Sequence, residues 1–359
     1  MRAKFNFVKK PAKFEYEPKS DHDLITVLII VTENCVNRCT FCGEDSPNKK
    51  VEELNTEELL RVIDQAKECG TKEILLSGGE PLLRKDFKQI AKRIKDNGME
   101  AVMCTNGYFL DQYIDFLEDI KFDTIQVSIN AFGEKSYNKL CNPPKGAWKK
   151  IMKSLDLMQK KYSGRVILSA VPLKSNKDEM IKIMRLAKKK NFQRFVLIKP
   201  LPIGRSQESN NIIPEKEYIK FLDKLIQEFI KLNGEEVFLE QPYARYSKFA
   251  EKYGKLLRYN YNCLAGIHYL SITSDGFVIP CATMTHLKEF RMGNVRQESL
   301  TEIWNDKKRW AKFYVPKECS KFCKHFGECT GGCKTLSYMA TGNMLSKDPF
   351  CEFWIGNPK

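Results

Sequence analysis

The chain has 359 residues, of which 42% are hydrophobic and 11% aromatic, which excludes disorder over most of its length and allows a sizeable buried core. Its 60 Lys and Arg against 45 Asp and Glu give a formal charge of +15, and no run approaches the roughly 18 apolar residues of a membrane span. The 13 cysteines do not suit a small secreted disulfide scaffold, so a cytoplasmic protein with reduced, clustered thiols serving as metal ligands is expected. The charge reads either as a solvated helical surface, with lysines such as Lys149, Lys150, Lys153, Lys160 and Lys161, or as attraction for an acidic partner. No basic motif interleaved with aromatics favours nucleic acid.

Residues 1–22 are polar, with Lys9, Lys10, Pro11 and Pro18, and read as an extension. From Leu24 short apolar runs alternate with helix-length patterns. The runs are 24–31, 73–77, 101–105, 124–129, 165–172 and 195–199, rich in Val and Ile. Each predicts a strand followed by a helix, hence βα units on a parallel sheet. The first helix shows the signals: Asn55 as N-cap with Glu58 three residues on, then Leu59, Val62, Ile63 and Ala66 at helical spacing, then Gly70 as a stop. Cys69 in its last turn reads as a small buried hydrophobe. Six such units cover about 23–240, and 218–232 is the last long helical pattern. Beyond it Cys, Gly and aromatic residues increase and periodicity weakens. A boundary near residue 245 is expected, giving an extension (1–22), an α/β domain (23–245) and a Cys-rich domain (246–359).

Cys35, Cys39 and Cys42 follow the first strand as C-x3-C-x2-C. Three thiolates on one loop can hold three corners of an iron–sulfur cube and leave one iron open, whereas a structural zinc would want a fourth ligand nearby. After the second strand comes Ser77-Gly78-Gly79-Glu80-Pro81, whose glycines let backbone approach a ligand and whose Glu80 offers a carboxylate to an ammonium. Thr105-Asn106-Gly107 follows the third strand, and Ser128-Ile129-Asn130 lies on the fourth. Polar groups thus gather at the carboxyl ends of successive parallel strands, where α/β barrels keep their sites.

At these residues the chain resembles the radical SAM superfamily. The cysteine loop with Phe41 before its third cysteine matches the family signature, and Gly78-Gly79-Glu80-Pro81 matches its methionine-binding motif. The resemblance, over about 23–240, implies a partial (β/α)6 barrel of TIM-barrel type and a 4Fe-4S cluster chelated by S-adenosylmethionine. An electron delivered to that cluster would cleave the sulfonium, and the 5′-deoxyadenosyl radical would abstract a substrate hydrogen atom. It further implies that Glu80 and the Gly79 backbone hold the methionine end, that Phe41 lies against adenine, and that Ser128 and Asn130 reach the ribose. Relatives often have Asp where Asn130 stands, and Arg thirteen residues after Ser128 where this chain has Cys141. Cys141 is therefore either a hydrogen-atom donor in the cleft or an ordinary half-buried cysteine. Cys104, on the third strand, reads as core.

A second set comprises Cys263, Cys281, Cys319, Cys323, Cys329, Cys333 and Cys351. Seven thiols with one nearby histidine, His325, suit iron–sulfur clusters better than zinc. The array resembles the SPASM domain over 246–359, although Cys319 and Cys323 enclose three residues where the family commonly has two. The resemblance implies two auxiliary 4Fe-4S clusters, one on Cys319, Cys323, Cys329 and Cys351, the other on Cys263, Cys281 and Cys333 with an open or non-cysteine corner.

Such enzymes modify peptides, activate sulfatases or act on tetrapyrroles. Ala282 after Cys281, where sulfatase maturases carry Asp, argues against the second. The first 22 residues are too short for a leader-binding domain. Pro200-Leu-Pro-Ile-Gly-Arg205 at the sixth strand end reads as a substrate-facing loop or a structural turn. The expected function is an oxidoreductase that modifies a peptide or protein side chain by cross-linking, epimerisation or oxidation, its substrate acidic if the surface charge recruits it. A low-potential donor of flavodoxin or ferredoxin type would serve it. The alternatives are the same chemistry on a tetrapyrrole or other small precursor, and an iron–sulfur electron carrier or regulator; Gly78-Gly79-Glu80 argues against the last.

Overall fold

The computed structural model describes residues 23–46, 51–192, 194–207, 210–231, 237–240, 257–258, 263–313, 332–346, 348 and 351. Six parallel strands run in chain order: β1 (Thr26–Thr32), β2 (Glu73–Gly78), β3 (Glu100–Thr105), β4 (Thr124–Ser128), β5 (Arg165–Ala170) and β6 (Arg194–Ile198). Helices return the chain between them: α1 (Thr56–Glu68), α2 (Phe87–Asp96), α3 (Leu110–Asp119), α4 (Glu134–Cys141) with α5 (Ala147–Lys161), and α6 (Met180–Lys189). The expected α/β partial barrel with a parallel core is therefore the observed one. β1 reads as an unbroken apolar run because both of its faces are covered, and Val27 to Val31 are all buried.

The helix signals hold at atomic detail. Asn55 Oδ1 accepts from the Glu58 amide at 3.0 Å, and a Glu58 carboxylate oxygen accepts from the Asn55 amide at 2.8 Å. Leu59, Val62, Ile63 and Ala66 are fully buried, which is why that stripe forms the inward face. α7 (Glu215–Lys231) is the long helix expected before the change in composition.

The sheet does not end with the sixth unit. β7 (Val237–Glu240) pairs parallel with β6, and β8 (Leu257–Arg258) with β7. On the opposite edge β9 (Tyr269–Ile272) pairs parallel with β1, Thr26 opposite Tyr269, and carries antiparallel β10 (Phe277–Ile279) and β11 (Gly293–Asn294). Strands from both sides of residue 245 thus belong to one eleven-stranded sheet. Polar ties reinforce the junction. The Leu54 amide donates to the Ser274 carbonyl at 2.7 Å, Ser274 Oγ donates to Glu33 at 2.6 Å, and Arg296 Nε donates to Glu58 at 2.8 Å. Among the described residues, no helix is long and apolar enough to cross a membrane.

Candidate functional site

A cavity of about 350 Å³ opens at the carboxyl ends of the barrel strands. Cys35, Cys39, Phe41 and Cys42 line it, as do Gly79, Ser128 and Asn130. The structure therefore brings together the cysteine loop, the glycine motif and the β4 end, which are separated by many residues in sequence.

Three neighbours hold the cysteine loop in shape. From α4, the Leu140 and Cys141 carbonyls accept from the Thr40 and Arg38 amides at 3.0 and 2.9 Å. From the loop after β6, Arg205 spreads its guanidinium over the Cys39 carbonyl (2.7 Å), Asp45 (2.8 Å) and the Ser46 carbonyl (2.6 Å). Gly204 beside it has φ +54°, and any Cβ there would strike the Cys42 and Gly43 carbonyls. From the C-terminal region, a His286 ring nitrogen lies 2.7 Å from the Gly43 carbonyl oxygen. The stretch 200–205 forms a structural turn and also borders the cavity. Pro200, Leu201 and Ile203 line the cavity, while Gly204 and Arg205 brace the cysteine loop.

Burial pushes the Cys35 thiol up to about 12 and raises that of Cys42. Cys39 is raised furthest by a hydrogen bond with Cys141, then by burial. Because the thiolate is the ligand form, a bound cation is what would deprotonate these groups. Among the described residues, no three His, Cys, Asp or Glu groups close on a point as a single-ion site would. Three soft donors on one loop, spread over the wall of one cavity, fit a larger iron–sulfur unit with a position left for a small-molecule ligand.

The glycine motif lines the cavity and also meets the chain's own backbone. The Gly79 amide donates to the Thr32 carbonyl and the Glu80 amide to the Asn34 carbonyl, both at 2.8 Å. A Cβ on Gly78 or Gly79 would collide with those same carbonyls. The glycines thus admit the chain's own backbone, zipping the β2 end to the start of the cysteine loop. Glu80 is fully buried and is not among the cavity-lining residues. Its carboxylate accepts from Thr105 Oγ1 (2.7 Å), the Asn106 amide (2.8 Å) and the Leu82 amide (3.3 Å). Burial raises its pKa to about 7 despite these bonds. Glu80 therefore shapes the turn that presents Asn106 to the cavity, with Asn106 Nδ2 3.9 Å from the Cys35 sulfur.

Asn130 Oδ1 accepts from the Val171 amide at 2.9 Å, so the amide keeps the acceptor an Asp would have supplied there. Ser128 Oγ lies 3.3 Å from Ser169 Oγ. Cys141 is fully buried, is not part of the cavity wall, and packs behind the loop against Cys39. Of its two expected readings, the thiol facing the cleft fails and the buried cysteine holds, because the C-terminal turn of α4 is what clamps the cysteine loop. Cys104, expected in the core, lines the cavity instead, since its place on β3 points inward. Lys199 is a cavity-lining residue that the sequence reading passed over, whereas Asn106 and Arg205 lie in the stretches it singled out, 105–107 and 200–205, without being given roles of their own.

In the C-terminal region Cys263, Cys281 and Cys333 are neighbours. Burial raises Cys281 to about 11 and Cys333 to about 12, and each is raised further by the thiols around it. This trio is the set expected to share an auxiliary cluster. Thr283 Oγ1 donates to Cys281 Sγ at 3.2 Å, and Ala282 and Thr283 line the barrel cavity, so the trio adjoins it. Asp348 accepts from the Cys333 amide at 2.8 Å. Of the other set only Cys351 is described; Cys319, Cys323 and Cys329 lie outside the described residues. None of the ten described cysteines forms a disulfide.

The Radical SAM superfamily profile matches residues 29–187, and that of SPASM, an iron–sulfur cluster-binding domain, matches 263–334. The AdoMet-dependent heme synthase of Methanosarcina barkeri (strain Fusaro / DSM 804) is 27% identical over 340 residues, covering 91% of this chain and 95% of its own. Streptococcus suis SuiB bound to S-adenosylmethionine shares the fold with a TM-score of 0.75 at 16% identity, over 91% of this chain and 77% of SuiB. SuiB bound to precursor peptide SuiA gives 0.73 at 16%, over 91% and 76%. The anSMEcpe structure with bound AdoMet gives 0.70 at 22%, over 91% and 94%. With its cysteine loop, its β2 motif and its C-terminal thiols in one arrangement, the chain is a radical SAM enzyme with a SPASM domain, and its cofactors are 4Fe-4S clusters and S-adenosylmethionine.

Proposed function

We propose that this enzyme reductively cleaves S-adenosylmethionine and abstracts a hydrogen atom from a peptide or protein substrate, leading to a cross-link, an epimer or an oxidised side chain. The observation that carries the reading is the common cavity of Cys35, Cys39 and Cys42 with the β2 and β4 ends. In this reading residues 23–245 perform the cleavage and 246–359 hold two auxiliary clusters.

Cys35, Cys39 and Cys42 would hold the cluster whose open iron takes S-adenosylmethionine, and that pair supplies the 5′-deoxyadenosyl radical. The remaining work belongs to the chain. Gly78 and Gly79 place backbone at the methionine end, and Glu80 acts on that end through the turn carrying Asn106. Phe41 offers its ring to adenine, and Ser128 and Asn130 offer hydrogen bonds to the ribose. Arg205 and the end of α4 fix the cysteine loop, so that the substrate hydrogen is met at one distance and angle. Cys263, Cys281 and Cys333 would hold one auxiliary cluster, and Cys319, Cys323, Cys329 and Cys351 the other. A low-potential flavodoxin- or ferredoxin-type donor would supply the electrons.

The peptide reading is supported by fold neighbours whose structures include a bound precursor peptide or another peptide. A second reading, the same chemistry on a tetrapyrrole or other small precursor, is favoured by the full-length similarity to a heme synthase. Reconstituted, reduced, oxygen-free protein should convert S-adenosylmethionine to 5′-deoxyadenosine, and intact nucleotide after prolonged incubation would refute the function. Mass spectrometry of candidate peptides and of iron porphyrins after turnover then separates the two substrate classes.

A further inference from the structure

Cys281 caps the short turn Ala282–Met284, and Thr283 stands inside that turn, two residues on. Thr283 Oγ1 donates to Cys281 Sγ at 3.2 Å, and the Thr283 amide bonds to the same sulfur. A second hydroxyl stands behind the first: Thr335 is buried, and its Oγ1 lies 2.6 Å from Thr283 Oγ1. Thr335 belongs to the first turn of the helix Lys334–Thr341, whose N-cap is Cys333. The pair of hydroxyls thus ties the turn after Cys281 to the helix after Cys333.

A threonine hydroxyl has one proton to give and can accept as well. As a metal ligand Cys281 is a thiolate, which can only accept. Its bond to Thr283 Oγ1 then takes the Thr283 proton, and Thr335 is left as the donor between the two hydroxyls. Ligation therefore fixes the direction of the whole chain, from Thr335 through Thr283 to the Cys281 sulfur, and each bond polarises the next. A donor at a ligating sulfur favours the more negative, reduced state of an iron–sulfur site and so raises its reduction potential. Thr283 also lines the barrel cavity, so one residue belongs both to the cavity wall and to the hydrogen-bonding shell of the sulfur.

We propose that Thr283, oriented by Thr335, is a positioning residue that raises the reduction potential of the auxiliary cluster held by Cys263, Cys281 and Cys333. The inference rests on the proposed ligand set and adds to it the group that poises this cluster beside the cavity. Thr283 acts through the sulfur and needs no contact with substrate. Its effect is confined to one cluster, because both hydroxyls of the chain belong to the segments that carry Cys281 and Cys333.

The test is a potentiometric titration of the holoenzyme reconstituted with iron and sulfide, with electron paramagnetic resonance following the reduced clusters. The midpoint missing from Cys281→Ala belongs to this auxiliary cluster. Thr283→Val keeps the shape and the amide but removes the hydroxyl. It should lower the reduced-to-oxidised ratio of that cluster about tenfold at fixed potential, the value of one hydrogen bond to a charged group. For one electron this is a midpoint about 59 mV lower. Iron content and the other midpoints should stay at their wild-type values. Thr283→Ser should restore the midpoint, and Thr335→Val should lower it by less. An unmoved midpoint in Thr283→Val, an equal shift of every cluster, or a serine variant as low as the valine one overturns the proposal. Where Thr283→Val loses iron, Thr335→Val carries the test, and an unmoved midpoint there is equally fatal. Undiminished iron in Cys281→Ala would refute the ligand set itself and the proposal with it, an outcome distinct from an unmoved midpoint.

Discussion

The six βα units and the segment after residue 263 are built on opposite principles. The barrel strands are long, up to seven residues in β1, and sit under helices whose apolar stripes are fully buried. β9, β10 and β11 have four, three and two residues, and three of the array's thiols gather beside them instead. Burial of apolar surface is enough to hold the first region. In the second, ligation of thiolates would add cross-links that the short strands do not provide. Yet β9 hydrogen-bonds to β1, so the two regions share one sheet, and the cysteine loop of the first touches His286 of the second. The difference is one of stabilisation and not of separateness.

Cysteine substitutions should break that comparison most sharply. Cys39→Ala should remove about four of about twelve irons per chain and reduce 5′-deoxyadenosine formation to background. Cys281→Ala should also cost about four irons, but keep most of the cleavage and lose substrate modification. Iron analysis, chromatography of the nucleoside and mass spectrometry of the product check the three readouts. Loss of cleavage with Cys281→Ala would show that the C-terminal region is needed for barrel chemistry itself.

Glu80 gives the next largest effect, confined to the barrel. Its carboxyl is raised from 4.5 to about 7 by burial. A raised folded value means that its contribution to stability is fully present below pH 4.5 and is lost as the pH climbs through 7. The span of about 2.5 units corresponds to about 3 kcal/mol at most. Urea unfolding of the cluster-free protein should show stability declining over this window, and Glu80→Gln should flatten the decline. An equal slope in the variant would assign the pH dependence to other groups.

Much of the barrel was legible because local signals and tertiary outcome agree there. The six strands fall within two residues of the apolar runs, since buried parallel strands need continuous Val, Ile and Leu. The cysteine loop and Gly78-Gly79 were legible as chemistry, but the reason for the glycines was not. Sequence shows that backbone must come close to something; only the structure shows that Thr32 and Asn34 are part of it. Glu80 illustrates the same limit, because a carboxylate beside a ligand motif and one bonded to Thr105 and Asn106 read alike in one dimension. Of the two readings of Cys141 the buried one holds, and Cys104 lines the cavity where core was expected, because side-chain direction at a helix end or along a strand depends on what the element packs against. The β1–β9 pairing joins residues more than 240 apart in sequence, and β9 carries too few residues for periodicity to announce it. Lys199 gave the weakest signal of all, as one basic residue in a lysine-rich chain.

Matched N-caps offer the finest test of whether the two regions unfold together. Asn55 caps α1 through a reciprocal pair of bonds with Glu58, and Ser299 caps the helix Leu300–Asn305 in the same way with Glu302. The two helices also touch: the Leu300 amide donates to Gln65 of α1 at 2.9 Å, and Cys69 Sγ lies 3.6 Å from Thr301 Oγ1. Replacing either cap with Ala removes one satisfied backbone amide and should cost about 1 kcal/mol. If the shared sheet makes the described regions one cooperative unit, Asn55→Ala and Ser299→Ala should lower the same urea midpoint by similar amounts and leave the slope unchanged. If the C-terminal region melts first, Ser299→Ala should move an early transition that Asn55→Ala leaves in place. Loading with iron and sulfide should merge the transitions in that case, because metal bound to the folded state stabilises the region that holds it.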